Sequence, residues 1–201
     1  PSGGVENFLF LWSNNESTED IDNLTPGDYI IELSDGNGCI VYDTSTITEP
    51  TELIITSSYE NVDCNGDESG SINIIATGGT GGISYSWSNG ATAPFISNLS
   101  SNTYSLGVTD ANNCTKTESF IITEPLAYLP NFDVKDVMCF GDLTGSIDFT
   151  ISGNTPPYTY TWSNGANTQN VEYLAAGTYT VEVKDSNGCP GSFDVSLTQP
   201  E

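Results

Sequence analysis

The sequence predicts an all-β protein of small immunoglobulin-like sandwich repeats, each of about 75 residues, set in tandem as an extended array. Three observations carry that expectation. Apolar and polar residues alternate, as in Tyr158-Thr159-Tyr160-Thr161-Trp162 and Tyr179-Thr180-Val181-Glu182-Val183, which is the period-2 signature of half-buried strands. Gly, Asn, Ser, Thr and Pro interrupt that alternation about every 8–12 residues, as in all-β sandwiches. The third is a repeat without slippage. Trp12, Trp87 and Trp162 are evenly spaced, and the same step separates Tyr29, Tyr104 and Tyr179, Cys39, Cys114 and Cys189, Cys64 and Cys139, and Pro50, Pro125 and Pro200. The organisation read from this step is the C-terminal part of one repeat at 1–50, its front half missing, and complete repeats at 51–125 and 126–200.

The elements follow in order through the second repeat. Residues 52–58 form a first strand, and 71–77 a second, introduced by Gly66 and Gly70. Residues 83–88 form a third that carries Trp87. Asn89-Gly90 then supplies a tight turn, because both residues accept positive φ. A short strand at 95–97 follows, then a strong one at 103–109. The turn Asp110-Ala111-Asn112-Asn113 leads into a last strand at 115–123. Six or seven strands in about 75 residues make a small sandwich.

Two features place that sandwich in the immunoglobulin-like class. One is the Trp on the third strand. The other is the series Leu24…Gly27-Asp28-Tyr29, Leu99…Asn102-Thr103-Tyr104 and Leu174…Gly177-Thr178-Tyr179, a Leu, a bend and a Tyr at a strand start, which has the form of a tyrosine corner. The Trp and Tyr are therefore expected in the core rather than in a binding site. Thr48-Glu49-Pro50 and Thr123-Glu124-Pro125 join the repeats without a Gly/Ser stretch, which predicts short, stiff junctions.

Composition narrows the function. The chain of 201 residues carries 27 acidic side chains against 3 basic ones, for a net charge of −24. Nucleic acid and anionic membranes are poor partners for it, since both need Lys or Arg to neutralise phosphate. No apolar run approaches the roughly 20 residues of a membrane span. The opening Pro1-Ser2-Gly3-Gly4 lacks a signal-peptide pattern, so address and anchor signals are expected outside these residues. The sequence has no His and no Arg, which removes Ser-His-Asp and Cys-His pairs and an Arg-bearing phosphate cradle. A carboxylate pair could cleave glycosides, but Glu60, Glu68 and Glu172 do not recur between repeats. No catalytic residue is expected and no enzyme.

The repeat resembles the SprB repeat of Bacteroidetes cell-surface proteins. The resemblance rests on Cys139-Phe-Gly-Asp-Leu-Thr-Gly145-Ser-Ile147, on Pro157-Tyr-Thr-Tyr-Thr-Trp-Ser-Asn-Gly165, on Leu174 through Cys189, and on the close at Thr198-Gln-Pro200. The second repeat is similar and ends Ile122-Thr-Glu-Pro125. The first keeps Trp12 onward but lacks the front half. What the resemblance implies is a secreted repeat array of a large gliding or attachment adhesin, exported by type IX secretion and displayed extracellularly at the outer membrane. Its implied partners are that secretion and gliding machinery and, through the full-length protein, an extracellular surface or polysaccharide.

Five cysteines in such a protein suggest disulfides. The pairing expected is within repeats, Cys64–Cys114 and Cys139–Cys189, with Cys39 alone. Free thiols and the scheme Cys39–Cys64 with Cys114–Cys139 stay open. The last would span two strand lengths against a Cα–Cα limit of roughly 7 Å. One difficulty attends the within-repeat scheme: in immunoglobulin order the two cysteine loops lie at opposite ends, so the first loop must climb.

Calcium is the cofactor candidate. Asp67 and Asp142 recur just after the first Cys, and Asp35, Asp110 and Asp185 just before the second. Asp67, Asp110, Asp142 and Asp185 are the candidate ligands, since Ca²⁺ takes 6–8 oxygens. The competing reading is that Asp35-Gly-Asn-Gly and Asp185-Ser-Asn-Gly are turns in which Asp caps its own backbone. Two function classes follow. One is a stalk that spaces an adhesive domain from the cell. The other is a module that binds polysaccharide or another surface directly, with Tyr59, Phe95 and Tyr128 as candidate aromatics.

Overall fold

A computed structural model describes residues 3–201. Every regular element in them is a β-strand. By contacts the chain divides into two compact units, one of the residues up to 52 with 78–80, the other of 53–77 with 81–201.

The first unit holds one three-stranded sheet. Its strands are β1 (Leu9–Trp12), β2 (Gly27–Ser34) and β3 (Ile40–Ile47), with β2 central. Phe10, Trp12, Ile31 and Leu33 are only half-buried, as expected of one sheet of a sandwich without the other.

The second unit contains both whole repeats. In the earlier one, β4 (Ile54–Glu60), β5 (Gly70–Thr77) and β7 (Phe95–Leu99) form one antiparallel sheet, and β6 (Ser84–Trp87), β8 (Asn102–Thr109) and β9 (Thr115–Ile122) the other. The later repeat copies this order. Its sheets are β10 (Leu129–Lys135), β11 (Gly145–Ser152) and β13 (Val171–Leu174), then β12 (Thr159–Trp162), β14 (Gly177–Lys184) and β15 (Pro190–Leu197). Strands 1, 2 and 4 of each repeat against 3, 5 and 6 is the strand arrangement of a minimal immunoglobulin-like sandwich.

Alternation builds each core. Ile72 and Ile74 of β5 face Tyr104, Leu106 and Val108 of β8 and Phe120 and Ile122 of β9, with Trp87 between. In the later repeat Phe149 is the centre. It stacks on Phe132 at 4.8 Å and meets the edge of Trp162 at 5.9 Å. Trp162 is 2% exposed, and its Nε1–H donates to the Thr168 carbonyl at 2.9 Å. The tyrosine corner is present three times, with Tyr29, Tyr104 and Tyr179 donating to the carbonyls of Thr25, Ser100 and Ala175.

The second strand of each whole repeat begins at a bulge, where Gly70 and Gly145 open the pairing to β7 and β13. A Cβ at Gly70 would stand 2.8 Å from the Leu99 carbonyl oxygen, and one at Gly145 2.9 Å from that of Leu174. Glycine is required there by contact. The extra residue on the partner strand takes positive φ, at Asn98 (56°) and Tyr173 (59°). Asn enters that region cheaply and Tyr does not.

Candidate functional site: the junction between the whole repeats

The strand order fixes which loops meet at the junction. In the second repeat the loop 61–69, between β4 and β5, carries Cys64. The turn 110–114, between β8 and β9, carries Cys114. These lie at opposite ends of the sandwich, about 26 Å apart for strands of eight residues at ~3.3 Å each. Backbone bonds hold the first loop at its own end. The Val62 N–H donates to the Thr123 carbonyl at 2.9 Å, the Thr123 N–H to Asn61 Oδ1 at 2.9 Å, and the Gly66 N–H to Glu124 Oε2 at 2.6 Å. The loop is thus tied to the exit of β9, where the chain passes into the third repeat, and it cannot climb to Cys114.

It meets the third repeat instead. There the turn 185–189, between β14 and β15, lies beside the start of the first strand, since Tyr128 Oη–H donates to the Cys189 carbonyl at 2.9 Å. Cys64 and Cys189 form a disulfide with a Cα–Cα distance of 5.5 Å. This corrects the expected pairing of Cys64 with Cys114 and of Cys139 with Cys189. Cys114 and Cys139, like Cys39, are exposed unpaired thiols. The first cysteine of one repeat is bonded to the second cysteine of the next, an arrangement outside both schemes that the sequence suggests.

Hydrogen bonds surround the disulfide. Asn187 Nδ2–H donates to the Asp63 carbonyl at 3.1 Å, the Asn65 N–H to Asn154 Oδ1 at 3.2 Å, and Asn65 Nδ2–H to the Pro125 carbonyl at 2.9 Å. Sequence reasoning misses Asn187 as a junction residue, although its signal is visible. It is the Asn of Asp-x-Asn, which recurs at Asn37 and Asn112 and on its face signals only a turn.

The aspartates before the second cysteine act on their own turns. Asp185 Oδ1 accepts from the N–H groups of Asn187 and Cys189, and Oδ2 from that of Thr155 at 3.0 Å. Asp110 Oδ1 accepts from Asn112 and Cys114, and Asp35 Oδ1 from Asn37 and Cys39. Asp110 and Asp185 are buried. The backbone N–H of Cys39, then that of Val5, holds the Asp35 carboxyl below the usual carboxylate range. Asp67 and Asp142 lie in the first-cysteine loops, where their N–H groups donate to the carbonyls of Cys64 and Cys139. Among the described residues no group of three or more His, Cys, Asp or Glu side chains is placed to hold a metal ion.

Two further carboxylates are also held low, Glu124 at this junction and Asp136 at the opposite end of the third repeat. Glu124 is lowered by the Gly66 N–H and then by the Ser101 hydroxyl, and Asp136 by the backbone N–H and then the hydroxyl of Thr198. Of the candidate binding aromatics, Tyr59 and Phe95 are half-exposed. Tyr128 packs edge-on against Tyr158 and Phe193 and belongs to the core.

Among solved structures, the N-terminal eight Ig domains of Down syndrome cell adhesion molecule (DSCAM) are similar over 98% of this chain and 32% of that one, at 12% identity and a TM-score of 0.39. This chain spans about a third of that length. The N-terminal four Ig domains of Dscam1 isoform 9.44 are similar over 96% of this chain and 64% of that one, at 12% identity and a TM-score of 0.32. No curated protein matches. The family comparison matches residues 56–92 and 131–167, one segment in each whole sandwich, to the SprB repeat.

Proposed function

We propose that this chain is a catalytically inert spacer within a large secreted cell-surface adhesin, its repeats braced against bending by disulfides that cross their junctions. One observation carries the reading: Cys64–Cys189 joins two successive repeats that the peptide chain already joins at Pro125. A single covalent link between two rigid bodies acts as a swivel. A second link on the same interface removes most of that freedom, and the hydrogen bonds around it remove more. A spacer that transmits force needs this stiffness, whereas a module acting alone does not.

The remaining features fit. A disulfide persists in an oxidising, extracytoplasmic setting. A net charge of −24 keeps crowded copies apart. The cores are filled by the very residues that recur, Trp, Tyr and the alternating aliphatics, which leaves little repeated chemistry for a ligand. Adhesion then resides elsewhere in the adhesin or arises additively from many weak contacts.

Small-angle scattering on arrays of increasing repeat number tests this. The maximum dimension should grow in proportion to the number of repeats, and Cys189→Ser should broaden the distance distribution. Arrays that stay compact, with repeats folded back on one another, would refute the spacer. Selective binding of the chain on a glycan array would favour the direct-binding reading.

A further inference from the structure

We infer that the loop around Cys139 is a preformed covalent docking face for a further copy of this module. Its bond runs from Cys139 to the cysteine that stands in that copy where Cys189 stands in the third repeat. The inference rests on the Cys64–Cys189 bond and holds whether the array is a spacer or a binding surface.

The loop already has the docked conformation. In the second repeat the loop is shaped by bonds from Val62 N–H to the Thr123 carbonyl, Asp63 N–H to Ser69 Oγ, Gly66 N–H to Glu124 Oε2 and Asp67 N–H to the Cys64 carbonyl. The third repeat reproduces each one at the equivalent residues. Val137 N–H donates to the Thr198 carbonyl at 3.0 Å, Met138 N–H to Thr144 Oγ1 at 2.9 Å, Gly141 N–H to Gln199 Oε1 at 3.1 Å and Asp142 N–H to the Cys139 carbonyl at 3.1 Å. Gly66 and Gly141 share positive φ, at 82° and 80°. One loop is bonded to the following repeat and the other presents an exposed thiol.

The docking contacts are mostly blind to side chains on the loop. The third repeat receives the Asp63 carbonyl through Asn187 and the Asn65 N–H through Asn154. Only the bond from Asn65 Nδ2 to Pro125 needs a particular loop side chain. A loop with the same backbone can therefore seat on the same face. Around Cys139 the side chains are apolar and exposed, with Met138, Phe140, Leu143 and the positive-φ Tyr173 at 59–79% exposure. The second repeat has Asp63, Asn65, Glu68 and Asn98 in their places. An apolar patch around an open thiol is a surface that gains by being covered; one repeat earlier the next module partly covers the cysteine itself, while Asp63, Asn65, Glu68 and Asn98 stay exposed.

The bond forms by thiol–disulfide exchange with a small-molecule disulfide oxidant such as glutathione disulfide. The Cys139 thiolate attacks one sulfur of the oxidant, forming a mixed disulfide and releasing one glutathione thiolate. The copy's cysteine thiolate then attacks the Cys139 sulfur and releases the second. Two protein thiols become one disulfide, and one glutathione disulfide becomes two glutathiones.

The test uses the full chain, extended directly after Pro200 by a copy of residues 126–200. Cys39→Ser and Cys114→Ser are introduced, and the copy's counterpart of Cys139 is made serine. Four cysteines remain: Cys64, Cys139, Cys189 and the one in the copy. After oxidation with glutathione, cleavage after lysine and mass spectrometry without reduction identify the linkages, with Cys64–Cys189 reporting that the chain has folded. The expected result is no free thiol and a Cys139 peptide linked to the copy. Adding Cys139→Ser should leave one free thiol, on the copy. Cys139 left free while Cys64–Cys189 forms would overturn the inference. So would its linkage to Cys189 or to a second chain.

Discussion

Replacing Trp162 by alanine, set against the same change at Trp12, measures how much of this fold depends on facing sheets. Trp162 is 2% exposed, contacts Phe149 edge-on at 5.9 Å and donates its indole N–H to Thr168 at 2.9 Å. Removal deletes the largest fully buried side chain and leaves a cavity that two pleated sheets cannot close, a loss of ~3–5 kcal/mol. Trp12 makes the same indole bond, to Thr18 at 3.0 Å, but is only half-buried. About half the transfer term is at stake there and water reaches the gap, so the expected cost is ~1–2 kcal/mol. Urea unfolding followed by far-ultraviolet circular dichroism gives both, with the unit carrying each Trp assigned by hydrogen exchange. Trp162→Ala should move the midpoint of the unit containing both whole repeats and leave the other unit unchanged. Equal costs at Trp12 and Trp162, or an unchanged midpoint for Trp162→Ala, would refute the argument that the opposing sheet makes this residue a core residue.

Two further outcomes follow from local geometry. Tyr173 sits at positive φ and is 79% exposed, so Tyr173→Asn should stabilise the protein by ~0.5–1 kcal/mol, since Asn relieves strain that Tyr cannot; a fall in the thermal midpoint would show that the ring contributes more than this exposure indicates. Glu124 has a folded-state pKa below its ordinary value, held there by the Gly66 N–H. It contributes stability above the unfolded carboxylate pKa, near ~4.3, and that contribution is lost as pH falls through the lower folded value. The midpoint difference between the wild type and Glu124→Gln, measured from pH 7 to pH 2, should therefore shrink toward the acid end, and a difference that stays constant would contradict it.

Much of the fold is legible in the sequence because it depends on local rules repeated three times. Alternation marks the strands, the Trp and Tyr positions mark two strands of one sheet and its corner, and Gly66 and Gly70 mark the entry to the second strand. The aspartates before Cys39, Cys114 and Cys189 are visible both as turn residues and as calcium candidates. Their hydrogen bonds to N–H groups two and four residues on are turn chemistry. The disulfide is not legible, for a physical reason. A constant repeat step says which residues are equivalent but not which ends of neighbouring sandwiches abut. The difficulty that the two loops lie at opposite ends is the true signal. It excludes the pairing within a repeat and leaves the junction as the place where a first-cysteine loop and a second-cysteine turn can meet.

The Cys64–Cys189 bond crosses the junction, and cleavage after lysine without reduction tests it directly. Cuts after Lys116, Lys135 and Lys184 place Cys39, Cys64 and Cys114 on one peptide, Cys139 on another and Cys189 on the last. The structure predicts the first and last peptides joined, Cys139 free to alkylation, and a second cut at acidic residues assigning the link to Cys64. A link between the Cys139 and Cys189 peptides, with Cys64 bonded to Cys114 in the first, would contradict it and return each disulfide to its own repeat.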